Sequence, residues 1–144
     1  MRTLKFLSLL FIAVSVGFAS CKKDDKEEAA PSNATAIVGK WQKTKEVETE
    51  YNSGGTKQGE NTNSTFTAED YVEYKSNGQC VVNEGISLTL TYQVSGSKIT
   101  YKYGSFAYGE ETIKTVNSTE LVLEETDVED NGSKFVTVTT YKKM

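Results

Sequence analysis

From Ile37 onward, apolar and polar side chains alternate with a period of two, the pattern of strands with one face buried. Leu88, Leu90, Tyr92 and Val94 alternate with Ser87, Thr89, Thr91 and Gln93. Ile99, Tyr101 and Tyr103 alternate with Lys98, Thr100 and Lys102, and Leu121 and Leu123 with Glu120, Val122 and Glu124. No long stretch carries a 3.6-residue apolar period, and the short Ala68–Tyr74 segment is the most ambiguous. The final strand leaves its inward face open, because Phe135 and Tyr141 fall opposite Val136 and Val138.

Turn residues punctuate these strands. Ser76-Asn77-Gly78-Gln79 separates Tyr71–Lys75 from Cys80–Val82, and Asn-Gly tolerates the positive φ of a tight hairpin. Ser95-Gly96-Ser97 separates Leu88–Val94 from Lys98–Tyr103. Asn117-Ser118 separates Glu111–Val116 from Glu120–Thr126, and Asp130-Asn131-Gly132-Ser133 precedes Lys134–Lys142. With Val38–Tyr51 in front, the pattern predicts about eight strands joined mostly by hairpins, an all-β antiparallel barrel or sandwich. Ser53–Thr67 breaks the rhythm with Gly, Ser, Thr, Asn and Gln, and reads as a long loop or a polar lid. The only Pro is Pro31, so no strand is interrupted by a missing ladder donor.

The amino-terminal part follows another pattern. Arg2 and Lys5 precede Phe6–Phe18, an uncharged and mostly apolar run. A charged start, a short apolar core and small residues at its end describe an export signal over residues 1–20. The run is shorter than the roughly 20 residues of a membrane span. Phe18-Ala19-Ser20-Cys21 resembles the lipobox of bacterial lipoproteins, with Phe18 where Leu is usual. That resemblance implies cleavage before Cys21, acylation of its thiol and new amino terminus with palmitate-like chains, and a membrane partner reached through lipid. A thiolate is a strong nucleophile for taking a lipid, and two or more acyl chains anchor firmly where one does not. Lys22-Lys23-Asp24-Asp25-Lys26-Glu27-Glu28 is similar to the acidic stretch of Bacteroidetes lipoproteins that can direct a protein to the outer face of the outer membrane. A solvated spacer explains the same residues. Residues 21–36 are expected to be an acidic linker, and residues 37–144 the folded domain.

Ile37-Val38-Gly39-Lys40-Trp41 opens the first strand. It resembles the Gly-x-Trp signature of lipocalins, and with the leader and the ending Thr139–Lys143 the chain looks like the lipocalin-like lipoproteins of Bacteroidetes. The resemblance implies an up-and-down barrel of about eight strands, with Gly39 and Trp41 closing one end structurally. In lipocalins a basic side chain, usually Arg, lies over that Trp. The sequence beyond Arg2 has no Arg, so Lys142 or Lys143 is expected there.

Charge and composition narrow the chemistry. Without Arg2 and Lys5 the remaining chain has 14 basic and 20 acidic residues, a side-chain balance of −6. An acidic domain repels phosphate backbones, which argues against nucleic acid as a partner. There is no His, so a Ser or Cys nucleophile lacks its usual base and an ordinary zinc site lacks ligands. Cys80 is then the single remaining cysteine and reads as a buried small hydrophobe. Asp127, Glu129, Asp130 and Asn131 are spaced like the start of a calcium loop, but Val138 stands where the last carboxylate belongs. Glu110-Glu111 and Glu124-Glu125 are neighbours in strands, so each pair points to opposite faces and makes no site by itself. No enzyme, metal site or cofactor is expected.

Tyr92, Tyr101 and Tyr103 share the predicted inward face, with Tyr108 in a Gly-flanked turn. Such aromatics suit a cavity for a small apolar or amphipathic ligand, and they suit a packed core equally well. Two functions remain open: a tethered binding module using the interior, or a cell-surface protein with a filled barrel that binds glycan or protein through its loops or outer face.

Overall fold

The computed structural model describes residues 32–144. The expected leader, Cys21 and the stretch Lys22–Glu28 lie outside the described residues. A short helix, α1 (Asn33–Ala36), precedes β1 (Gly39–Tyr51), β2 (Lys57–Asn63), β3 (Tyr71–Tyr74), β4 (Gln79–Asn83) and β5 (Ser87–Ser95). Then follow β6 (Lys98–Tyr103), β7 (Phe106–Val116), β8 (Glu120–Val128) and β9 (Lys134–Lys143). Strands β3 to β9 pair in sequence order, and β1 pairs with both β3 and β9, all antiparallel. The eight strands β1 and β3–β9 thus close an up-and-down barrel, which removes the free edges of an open sheet.

Two expectations change. The segment Ser53–Thr67 holds β2, which pairs with the second half of β1 from Glu46 to Tyr51. Its residues are almost all exposed, so no alternation marks it in the sequence. The second revision is α1, which lies inside the stretch expected to be linker. Asn33 Nδ2 donates to Gly96 O at 3.0 Å, tying this helical turn to the β5–β6 hairpin.

The end of the barrel beside α1 is sealed. Ile37, Trp41, Ile99, Leu121 and Leu123 are buried there. Full burial of each aliphatic side chain contributes about 1.5–3 kcal/mol. Trp41 Nε1 donates to Ile37 O at 2.7 Å, so the indole has no orphan donor. Lys143 Nζ lies 4.0 Å from the centre of the Trp41 ring and donates to Val38 O at 2.6 Å. Of the two lysines expected over the Trp, Lys143 takes the place. Gly39 has φ +131°, and a Cβ there would collide with the Lys143 side chain. Glycine therefore lets the lysine cross the indole.

Inward residues change character along the barrel. On β8 they run Leu121, Leu123, Glu125, and on β7 Ile113, Glu111, Gly109. The sealed end is apolar, and the opposite end becomes acidic.

Candidate functional site: an acidic cavity inside the barrel

Above the sealed floor lies a cavity of about 270 Å³. This is just under the roughly 300–1,000 Å³ of pockets that take drug-sized molecules, so it suits a smaller one. Val72, Val82 and Leu90 line it on one side, and Tyr101, Tyr108, Glu111, Glu125, Thr139 and Tyr141 line it elsewhere.

Local irregularities place several of these groups. On β1 the register with β9 shifts between Lys43 and Lys45. Lys43 pairs with Tyr141 before the bulge and Glu46 with Thr139 after it, so both reach the interior although three residues apart. A bulge re-aims side chains in this way. On β7, Tyr101 pairs with Gly109 and Lys102 with Ala107, leaving Tyr108 as the extra residue at the cavity rim. The β7–β8 ladder ends where Thr112 pairs with Glu124, and just beyond it Glu111 and Glu125 both line the cavity, close enough to interact electrostatically.

Lys43 is buried and bridges Glu46 at 2.7 Å and Glu84 at 2.6 Å. Burial acts against its charge, but the two carboxylates outweigh it and raise the Lys43 pKa. A second network runs through hydroxyls: Tyr101 donates to Glu111 at 2.5 Å, and its oxygen lies 2.6 Å from the Tyr74 hydroxyl. With Tyr101 donating to Glu111, Tyr74 is the donor to Tyr101. Burial pushes the Glu111 carboxyl up to about 7, against the pull of the Tyr101 hydrogen bond, and Glu125 raises it further. Burial likewise raises the Glu125 carboxyl, with Asp127 adding to it. It also holds the Tyr74, Tyr101 and Tyr141 hydroxyls well above their usual range, so all three stay neutral.

The tyrosines expected inside are divided. Tyr101 lines the cavity. Tyr92 faces inward but lies outside the cavity lining. Its ring packs edge-on against Tyr74 at 5.0 Å, and its hydroxyl donates to Lys75 O at 2.9 Å. Tyr103 is 57% exposed. The β5–β6 ladder ends at Lys102, so Tyr103 sits on a hairpin tip where alternation no longer means burial. Cys80 is in the core, where burial pushes its thiol up to about 11.

No local pattern in the sequence marks Glu111, Glu125, Lys43 and Tyr141 as one site. Each neighbouring Glu pair does split: Glu110, at the edge of the cavity, pairs outward with Lys98 and Glu124 with Lys114, leaving Glu111 and Glu125 as the carboxylates inside. What brings them together is cross-strand register.

A closed eight-stranded antiparallel barrel with a Trp floor and an interior cavity is the architecture of a lipocalin-like protein. Residues 37–123 match the lipocalin-like domain family, and the chain belongs to it. No curated protein and no solved structure matches the chain. The matched stretch ends within β8, so Glu125, Tyr141 and Lys143 lie beyond it.

Proposed function

We propose that this protein is a lipid-anchored lipoprotein of the bacterial envelope, of the Bacteroidetes type, whose barrel binds a small ligand. The observation that carries the binding reading is the cavity of about 270 Å³ bordered by Tyr101 on one wall and by Val72, Val82 and Leu90 on another. That mixture of apolar surface and a few polar groups is what small-molecule sites are made of. Naphthalene, a neutral apolar probe followed by its own fluorescence, is expected to bind saturably near one per chain. Tyr101→Ala should weaken it about fivefold, the value of one aromatic contact of about 1 kcal/mol. Absence of saturable binding to the folded protein would overturn the reading.

Lipid anchoring rests on the lipobox-like Phe18–Cys21, and the outer-membrane surface location on the acidic stretch after it. Cys21→Ala is expected to move the protein out of the membrane fraction. Retention as firm as that of the parent would contradict the anchor.

A second reading, binding of glycan or protein by the outer surface, draws on the loops at the acidic end. Phe106 is 75% exposed and Ile86 83%, with Tyr103 and Tyr108 also exposed beside Phe106. Clustered exposed apolar side chains mark interaction surfaces more often than scattered ones do.

A further inference from the structure

The cavity is not charge-balanced. Among the described residues its one lysine, Lys43, is held by Glu46 and Glu84. Glu110 has an external partner in Lys98. Among the described residues neither Glu111 nor Glu125 takes part in an ion pair. Each lines the cavity, with Glu125 lying over Gly109. Two carboxylates on adjacent strands therefore face one space, and their repulsion is only partly offset by Lys43.

The cavity wall also carries a hydroxyl that has no partner among the described residues. Tyr141 is nine-tenths buried and lines the cavity, and among the described residues its hydroxyl makes no hydrogen bond. Among the described residues no fully buried side-chain polar atom lacks a partner, so the Tyr141 oxygen is open to the cavity, where an occupant's polar group can reach it. Thr139, one inward step along β9, is buried in the same wall, and its hydroxyl is equally without a partner among the described residues. Four of the cavity glutamates, Glu46, Glu84, Glu111 and Glu125, lie near enough to Tyr141 to bear on its hydroxyl electrostatically. Negative potential thus converges on the place where the unpaired hydroxyl waits.

We propose that the cavity selects a small organic cation, a primary amine on a short apolar body. Its ammonium group would donate to Glu111, Glu125 and the Tyr141 hydroxyl, and its body would lie against Val72, Val82 and Leu90. An ammonium carries three donors and no acceptor, which suits a site made of carboxylates and hydroxyl oxygens. This deepens the small-ligand reading above and rests on it: the interior selects by charge as well as by apolar area.

Three probes of nearly equal shape test it on the purified protein by titration calorimetry at pH 8: 2-phenylethylamine, 2-phenylethanol and 3-phenylpropionate. The amine is expected to bind one per chain, about tenfold or more tighter than the alcohol, because a charge-assisted hydrogen bond is worth roughly twice a neutral one. The anion is expected not to bind. Glu111→Gln and Glu125→Gln, which keep side-chain shape, should each weaken the amine about tenfold and leave the alcohol unchanged. Amine affinity unaffected by both substitutions would overturn the placement. If the alcohol equals the amine, or if naphthalene binds and the amine does not, charge selection is wrong while the small-ligand reading stands. If neither naphthalene nor any of the three binds, both fall.

Discussion

Trp41→Ala is expected to destabilise the barrel by about 3–5 kcal/mol, the range for large aromatic truncations in packed interiors. The loss has several sources. The indole is wholly buried at the sealed end, its Nε1 is the donor to Ile37 O, and its face carries the Lys143 ammonium. Truncation leaves a void against Ile37, an unpaired carbonyl and a lysine with nothing beneath it. Burial already lowers the Lys143 pKa, and a ring under the ammonium helps to hold the charge there. Domains of this size have about 5–15 kcal/mol of stability in all, so the variant should unfold at a much lower urea concentration. Far-ultraviolet circular dichroism reads this, since the variant has lost the only Trp. In the parent, Trp41 emission should be blue-shifted and move red as the chain unfolds. A midpoint unchanged by the substitution would show that the indole does not seal the barrel.

Glu111→Gln is expected to stabilise the protein at alkaline pH and to have little effect in acid. Burial raises the Glu111 carboxyl to about 7 in the folded state from an ordinary 4.5. Between those values the folded chain keeps a proton that the unfolded chain has released, so stability falls as pH rises through this window. Above about pH 7 a buried carboxylate remains at a cost of up to about 3 kcal/mol, at 1.36 kcal/mol per pKa unit. Gln carries no charge and can still accept from Tyr101. Urea midpoints of parent and variant should therefore coincide near pH 4 and separate by pH 8, with the variant higher. A variant less stable at pH 8 would mean that the ionised carboxylate holds the Tyr74–Tyr101 chain in place.

The two effects differ in how far they could be read from residues. Trp41 was legible because Gly-x-Trp, the hairpin turns and the strand alternation are local patterns, and the barrel they implied is the one observed. The lysine over the indole was narrowed to two neighbours because no Arg was left to compete. β2 was hidden, since a strand polar on both faces carries no period. The cavity was harder still. Lys43 and Glu46 meet through a bulge that shifts parity, and a bulge leaves no reliable mark in one sequence. Glu111 and Glu125 meet through pairing between strands whose register the local sequence does not fix. Alternation also overreached at Tyr103, where the hairpin runs past its neighbour β5. The unpaired Tyr141 hydroxyl lies on the one strand whose inward face the sequence left open, because β9 is half-buried on both sides.

If the barrel works as proposed, its interior, rather than the loop surface, takes the ligand. Backbone and side-chain chemical shifts of the isotopically labelled protein, followed while 2-phenylethylamine or naphthalene is added, test it most directly. Saturable shifts centred on Tyr101, Glu111, Thr139 and Tyr141 are expected, with Ile86 and Phe106 unmoved. Shifts confined to Ile86, Tyr103 and Phe106, with the cavity residues unchanged, would contradict it and assign binding to the exposed hairpin tips.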